Sequence, residues 1–300
     1  MTSMSSNRPR DSDPLAPHRG RLLGLAYRML GSRSDAEDVV QDAYLRFAGA
    51  QDVQNPEAFL VTVVTRLCLD RLKSARAQRE LYVGPWLPEP VFDADGLSAG
   101  AATELADDLS FALLLALDRL SPPERAAFLL HDVFDTPFHE IAAMLGRSEA
   151  ACRQLASRAR RAVRDNRPAP AATPDSHARL LQAFSDAVAS GDVKQLAELL
   201  REDAVALTDG GGRKFAALNP IVGADKVARF FIGLAGKTAS QSQDMRIEPA
   251  AINGAAGALL YLDGELDLTL SMAIDGEKIA AIYVVRNPDK LRHLPISVTH

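Results

Sequence analysis

Apolar residues recur at helical spacing through the first part of the chain. Leu22, Leu25, Ala26, Met29 and Leu30 mark one face of a first helix, which Gly31 ends. Ser34 is placed to cap a second helix, whose stripe is Ala36, Val39, Val40, Ala43, Tyr44 and Phe47. Asn55-Pro56 opens a third, long helix through Phe59, Val63, Leu67 and Leu72. A helical block over 15–80 follows from these, behind a disordered tail over 1–14. Over 81–103 the period breaks. The prolines, glycines and acids of YVGPWLPEPVFDADGLSAG argue against a helix. Tyr82, Trp86 and Leu87 are apolar anchors within that linker and predict that it is docked.

Helical periodicity returns over 104–166. Ser121-Pro122-Pro123-Glu124 combines a cap, prolines and an acid at a helix start. Two short helices follow, over 137–145 and 149–165, separated by Gly146-Arg147-Ser148, which is helix–turn–helix punctuation. RPAPAATP over 167–174 reads as an extended tether. Beyond it, helices over 176–190, 192–200 and 223–235 are joined by strand-like runs. The clearest strands are 256–262, 265–273 and 278–285, with Asp263-Gly264 and Asp275-Gly276 as hairpin turns. Two all-α domains followed by an α+β domain over 175–300 is the architecture these patterns predict.

Length and charge refine this picture. Three hundred residues suit two or three domains, and 47% hydrophobic residues are ample for buried cores. The net charge of −5 announces no nucleic-acid partner, but the charge is segregated. Between 147 and 167 seven arginines face only Glu149 and Asp165, whereas 81–114 holds six acids and no Lys or Arg. The two cysteines, Cys68 and Cys152, fall in helical patterns and read as small buried hydrophobes, with no metal-binding spacing around them. Neither an apolar run of about 18 residues nor a signal-peptide core is present, which predicts a cytoplasmic protein that does not engage the membrane.

The arginine-rich segment carries the firmest chemistry. Ser148 caps its helix, and Arg153, Gln154, Ser157 and Arg158 can reach base edges or phosphates in a major groove. Arg160, Arg161 and Arg164 suit phosphates, which position a protein without specifying sequence. A solvated basic helix on a bundle is the competing reading. Earlier in the chain, Asp35, Glu37, Asp38 and Asp42 give the second helix an acidic face. Arg66, Arg71, Lys73, Arg76 and Arg79 give the third a basic one that could track a phosphate backbone.

Residues 138–163, FHEIAAMLGRSEAACRQLASRARRAV, resemble the promoter −35-binding region of extracytoplasmic-function sigma factors, and 117–134 resembles the adjoining helices. AYRMLGSRSDAEDVVQDAYLRF, 26–47, is similar to the part of that family's first domain that binds core RNA polymerase. NPEAFLVTVVTRLCLDRLKSARAQRE, 55–80, resembles the part that recognises the −10 element. The resemblance implies core RNA polymerase and promoter DNA as partners and no cofactor. It implies polymerase contacts at Asp35, Glu37, Asp38, Val39, Gln41, Asp42 and Tyr44. It implies −10 contacts at Arg66, Asp70, Arg71, Lys73, Arg76 and Arg79. For the −35 element it implies Ser148, Glu149, Ala151, Arg153, Gln154, Ser157, Arg158, Arg160 and Arg161.

The third block resembles a SnoaL-like cone, which a subgroup of these sigma factors carries. Motifs similar to that subgroup's stand at YVGPWLPEP (82–90), DGGGRK (209–214) and NPDKL (287–291). They imply regulatory contacts through Tyr82, Trp86, Leu87, Pro88, Asp209, Gly210, Gly211, Gly212, Lys214, Asn287, Pro288, Asp289 and Lys290, without a separate anti-sigma protein. Asp209 and Lys214 could pair with each other, and Asp289 with Lys290 or Arg286. Cone folds also host enzymes that use buried acid–base pairs. Asp209, Asp263, Glu265 and Asp267 are the carboxylates available for that, but no histidine lies between His177 and His293. A pocket that binds a small ligand without catalysis is the better-supplied alternative. A plain helix–turn–helix repressor would leave 26–80 unexplained.

Overall fold

The computed structural model describes residues 16–92, 97, 108–166, 174–241, 244–292 and 294. The expected tail over 1–14, much of the linker between 93 and 107, and the tether over 167–173 lie outside the described residues.

Helix α1 (Arg19–Leu30) ends at Gly31, whose left-handed φ of 72° lets its N–H reach back to the Tyr27 carbonyl. Helix α2 (Arg33–Ala48) is capped by Ser32 rather than Ser34. Ser32 has the extended backbone that a cap requires, and its side chain accepts from the Asp35 N–H, whereas Ser34 is already helical. Helix α3 (Pro56–Glu80) starts as expected, with Asn55 Oδ1 accepting from the Ala58 N–H at 3.1 Å.

In the second block the described helices begin with α4 (Phe111–Asp118). Helix α5 (Pro122–Phe128) has a reciprocal Ser121–Glu124 capping box and runs into a π-helical turn, Leu129–Val133. Helices α6 (Phe138–Leu145) and α7 (Glu149–Asn166) flank Gly146, which is left-handed at φ 63°. The Ser148 hydroxyl accepts from the Ala151 N–H at 3.2 Å, the cap expected of it.

One contiguous core runs through both helical blocks, from Leu22, Leu25 and Leu60 to Leu113, Phe128 and Ile141. Two buried arginines cross the seam. Arg125 donates to the Met29 carbonyl and, at 3.0 Å, to Asp118. Arg28 donates to the Leu97 carbonyl at 3.0 Å, with its guanidinium 5.8 Å from the Phe134 ring centre. Burying a cation is costly unless it is paired or hydrogen-bonded, and the partners these arginines find across the seam favour this meeting of the blocks.

The third block contains α8 (Pro174–Ser190), α9 (Val193–Leu199), β1 (Leu200–Asp209), β2 (Ile221–Val222), α10 (Ala224–Gln241), β3 (Met245–Ile252), β4 (Ala255–Leu262), β5 (Glu265–Asp275), β6 (Lys278–Val285) and α11 (Pro288–Leu291). The sheet order is β2-β1-β6-β5-β4-β3, with β1 and β6 parallel and the other pairs antiparallel. Register shifts within β1–β6, β4–β5 and β5–β6 bend the sheet into a cone. Asp263-Gly264 makes the expected tight hairpin, both residues at positive φ. The β5–β6 hairpin turns at Gly276-Glu277, one residue after the expected Asp275-Gly276, because Asp275 still pairs with Lys278 in the ladder. A further turn, Asn253-Gly254, joins β3 to β4 at φ 53° and 77°; it carries the same signal as Asp263-Gly264 and was not among the expected turns. One sheet face packs on α8 and α10 through Phe184, Phe231, Leu270 and Ile282. The other face is apolar too and is covered by the helical part of the chain: Leu87 and Phe111 pack with Tyr283 and Leu291. The Phe111 and Tyr283 rings stack at 5.4 Å.

Candidate functional site: DNA-reading helices and a strapped linker

Helix α7 exposes Arg153, Gln154, Ser157, Arg158, Arg160 and Arg161 along one side while Cys152, Leu155, Ala156 and Ala159 are buried. That division follows from apolar residues three and four apart. Arg153 pairs with Glu149 at 2.7 Å and lies 5.3 Å from the Phe138 ring centre. Arg158 reaches Glu124 at 3.5 Å, and Arg160 reaches Asp132 of the π turn at 2.7 Å. Ala151 is half-buried and sits at the capped start.

On α2, Asp35, Glu37, Asp38, Gln41 and Asp42 are exposed as a polar face. Val39 is fully buried and Tyr44 packs on the core, so these two leave that face to their neighbours. The helical period turns both inward. The basic side of α3 is engaged. Arg71 pairs with Asp35 and, at 3.4 Å, with Asp38, tying the basic face to the acidic one. Asp70 and Lys73 pair at 2.7 Å, and the Lys73 hydrogen bond holds the Asp70 carboxyl below its ordinary pKa. Arg66 points to the end of α6, donating to the carbonyls of Met144 and Ala143 at 3.4 Å each. Arg76 and Arg79 belong to the last turns of α3, with side chains outside the described part of the structure.

The linker residues gather around Asp209, which is fully buried at the end of β1. Its Oδ1 accepts from Tyr82 Oη at 2.6 Å and from the Gly211 N–H at 3.0 Å. Its Oδ2 accepts from the Leu87 N–H at 2.9 Å and from Lys290 Nζ at 2.7 Å. Lys290 also donates to the Leu87 carbonyl and lies 4.5 Å from the Trp86 ring centre. Asn287 donates to Tyr82 Oη at 2.8 Å and caps α11, where Pro288 is the first residue. Burial, then the neighbouring Asp209 carboxylate, pushes the Tyr82 hydroxyl well above its ordinary pKa, so it stays a donor. Gly211 is required by close approach: a Cβ there would stand 2.3 Å from Asn287 Nδ2. A Cβ at Gly210 would likewise stand 2.2 Å from the Lys214 carbonyl, whereas Gly212 is favoured by its left-handed φ of 72°.

The expected charge partners are exchanged. Asp209 takes Lys290, Lys214 takes Asp267 at 3.1 Å, and Asp289 takes Arg213 at 3.1 Å and Arg292 at 2.7 Å. Sequence neighbours around the glycine turn point to opposite sides of the sheet end, so pairing follows the strands. Asp263 and Glu265 are exposed, which leaves Asp209, engaged with the linker and Lys290, and Asp267, next to Arg286, as the buried carboxylates among the four.

Two residues outside the expected set extend the strap. Glu89 seats its carboxylate at the start of α2, accepting from the N–H groups of Arg33 (2.7 Å) and Ser34 (3.2 Å) and the Ser32 hydroxyl (2.9 Å). The positive end of the helix dipole favours a carboxylate there. Asn253, at the β3–β4 turn, accepts from the Val91 N–H at 3.0 Å through Oδ1. Its Nδ2 donates to Tyr27 Oη at 2.7 Å and to the Leu109 carbonyl at 2.9 Å. One side chain thus joins the first block, the linker and the second block. The Asn-Gly pair signals a turn in sequence, but nothing local says what the turn touches. Trp86 and Pro88 complete the strap: Pro88 is buried, and Trp86 lies against Gly31, where a Cβ would meet its ring at 2.5 Å.

Family models match the two helical blocks: Sigma-70 region 2 over residues 15–78 and Sigma-70, region 4 over 110–163. The chain is 39% identical over 288 residues to the ECF RNA polymerase sigma factor SigJ of Mycobacterium tuberculosis (strain ATCC 25618 / H37Rv), covering 93% of this chain and 92% of that one. It is 34% identical over 280 residues to the probable ECF RNA polymerase sigma factor SigI of Mycobacterium tuberculosis (strain CDC 1551 / Oshkosh), covering 91% and 92%. Among solved structures, the crystal structure of M. tuberculosis SigJ superposes with a TM-score of 0.73 at 36% identity, covering 94% of this chain and 98% of that one.

Proposed function

Because the chain belongs to the extracytoplasmic-function family of RNA polymerase sigma factors, it binds core RNA polymerase and directs initiation at promoters, and we propose that its C-terminal domain controls this activity in cis. The family is one of initiation factors rather than enzymes. In this reading the polar face of α2 (Asp35, Glu37, Asp38, Gln41, Asp42) meets the polymerase. Arg66, Arg71 and Lys73, with Arg76 and Arg79 beyond them, approach the −10 element. Arg153, Gln154, Ser157, Arg158, Arg160 and Arg161 approach the −35 element from the capped start of α7.

The observation that carries the proposal is the strap. Asp209 and Lys290, a buried charge pair within the third block, hold the linker through the Tyr82 hydroxyl and the Leu87 backbone, while Glu89 of the same linker caps the polymerase-facing helix. Regions 2 and 4 share one core here, and Arg66 is spent on the end of α6. Two separated promoter elements require the two regions to part. The strapped arrangement is therefore the closed state, and release of the linker opens it. An inbuilt control of this kind replaces a separate anti-sigma protein.

Run-off transcription with core polymerase tests the reading. Full-length protein is compared with chains ending near 170 and near 286 and with Asp209→Asn. Altered promoter-dependent transcript from the truncations and from Asp209→Asn is the expected outcome. Equal transcript from all four proteins would sink it.

A further inference from the structure

The cone holds a half-open cavity of about 180 Å³ between α8, α10 and the sheet. Its walls are apolar: Phe184, Phe231, Leu234, Leu260, Leu268 and Leu270. A dry cavity of about 150 Å³ accommodates one benzene-sized molecule, so this one suits a single ring or a medium alkyl chain. Asp267 and Arg286 also line it and give it a charged end.

The charges at that end do not cancel. Asp267 is buried, and its oxygens are taken by two cations, Lys214 at 3.1 Å and Arg286 at 2.7 Å. Arg286 spends Nε and one N–H of Nη2 on Asp267 and one N–H of Nη1 on the Phe215 carbonyl. A guanidinium has five N–H groups, so two remain for an acceptor.

We propose that this cavity is a binding site for a small apolar monocarboxylate, whose carboxylate pairs with Arg286 and whose body lies between Phe184, Phe231 and Leu260. An anionic acceptor gains most from a guanidinium in low-dielectric surroundings. The site is linked to the strap by covalent neighbours. The Arg286 N–H donates to the Asp209 carbonyl at 2.7 Å, and the next residue, Asn287, holds Tyr82. A ligand drawing on Arg286 therefore acts beside the residues that clamp the linker; this consequence rests on the cis control proposed above, whereas binding does not.

Calorimetric titration of the full-length protein with sodium octanoate, and separately with octan-1-ol, tests the site. Octanoate should bind one per chain and at least about tenfold more tightly than the alcohol. Arg286→Gln should abolish that preference. Ala235→Trp, which fills the cavity from α10, should abolish binding of both while leaving the thermal unfolding transition cooperative. No octanoate binding, equal affinity for the alcohol, or binding that survives Ala235→Trp would overturn the proposal. The truncation assay above reads cis control without any ligand, so either idea can fail alone.

Discussion

Asp209 takes a full negative charge into the interior, and its stability there depends on four donors arriving together. Removing the charge leaves Lys290 buried without its counter-ion. Loss of one partner of a buried ion pair typically costs about 3–5 kcal/mol. Asp209→Asn should lower stability on that scale in urea unfolding and open the 82–90 segment to limited proteolysis; wild-type resistance in the variant would count against the strap. Asn253 offers a cleaner probe because its backbone is left-handed. Asn253→Gly keeps the turn at no steric cost and deletes only the side-chain contacts. It leaves the Val91 N–H and the Leu109 carbonyl without their partner, each a loss of about 1–3 kcal/mol. A variant as stable as wild type would show that water replaces the amide.

At the scale of elements, α2 starts on a carboxylate from elsewhere in the chain. Glu89→Ala should cost about 1 kcal/mol, the usual value of an N-terminal cap. Amide exchange should quicken at Arg33 and Ser34 while the centre of α2 stays protected; unchanged exchange there would mean that Ser32 caps the helix alone. Helix α7 shows how exposure separates roles. Cys152, Leu155, Ala156 and Ala159 hold it in the core, and Arg161 lies on the opposite, exposed side. Arg161→Ala should weaken binding of −35-containing duplex DNA by the truncated 104–300 chain about equally across sequences. The salt dependence of log K against log salt should flatten by about one. A loss confined to one sequence would instead make Arg161 a base-reading residue.

For the whole molecule, the proposed cis control requires regions 2 and 4 to separate when the strap is released. Cys68 and Cys152 are buried, so maleimide dyes on Leu45→Cys and Arg164→Cys label exposed positions selectively. Energy transfer between them should fall when Asp209→Asn is added, and fall in wild type on adding core polymerase. Transfer that stays constant in both experiments would exclude opening.

The helical blocks, the helix–turn–helix, the two named hairpins and the order of domains were legible because each is written in local periodicity, caps and turn residues. Trp86 and Leu87 announced a docked linker because apolar side chains in a proline-rich segment have no reason to face water. The partners were not legible. Lys214 looked available to Asp209 five residues away, yet a sharp glycine turn sends it to Asp267 on another strand. Glu89 read as one acid of an acidic linker and is a helix cap; Asn253 read as nothing and is the meeting point of three segments. Sequence by itself determined which segments are helix or strand and which face of each is apolar, since backbone preference and burial period are short-range. Only the tertiary structure decided which buried charges pair and which segments the linker binds. A hydrogen bond spanning more than a hundred residues depends on chain closure that no local pattern encodes.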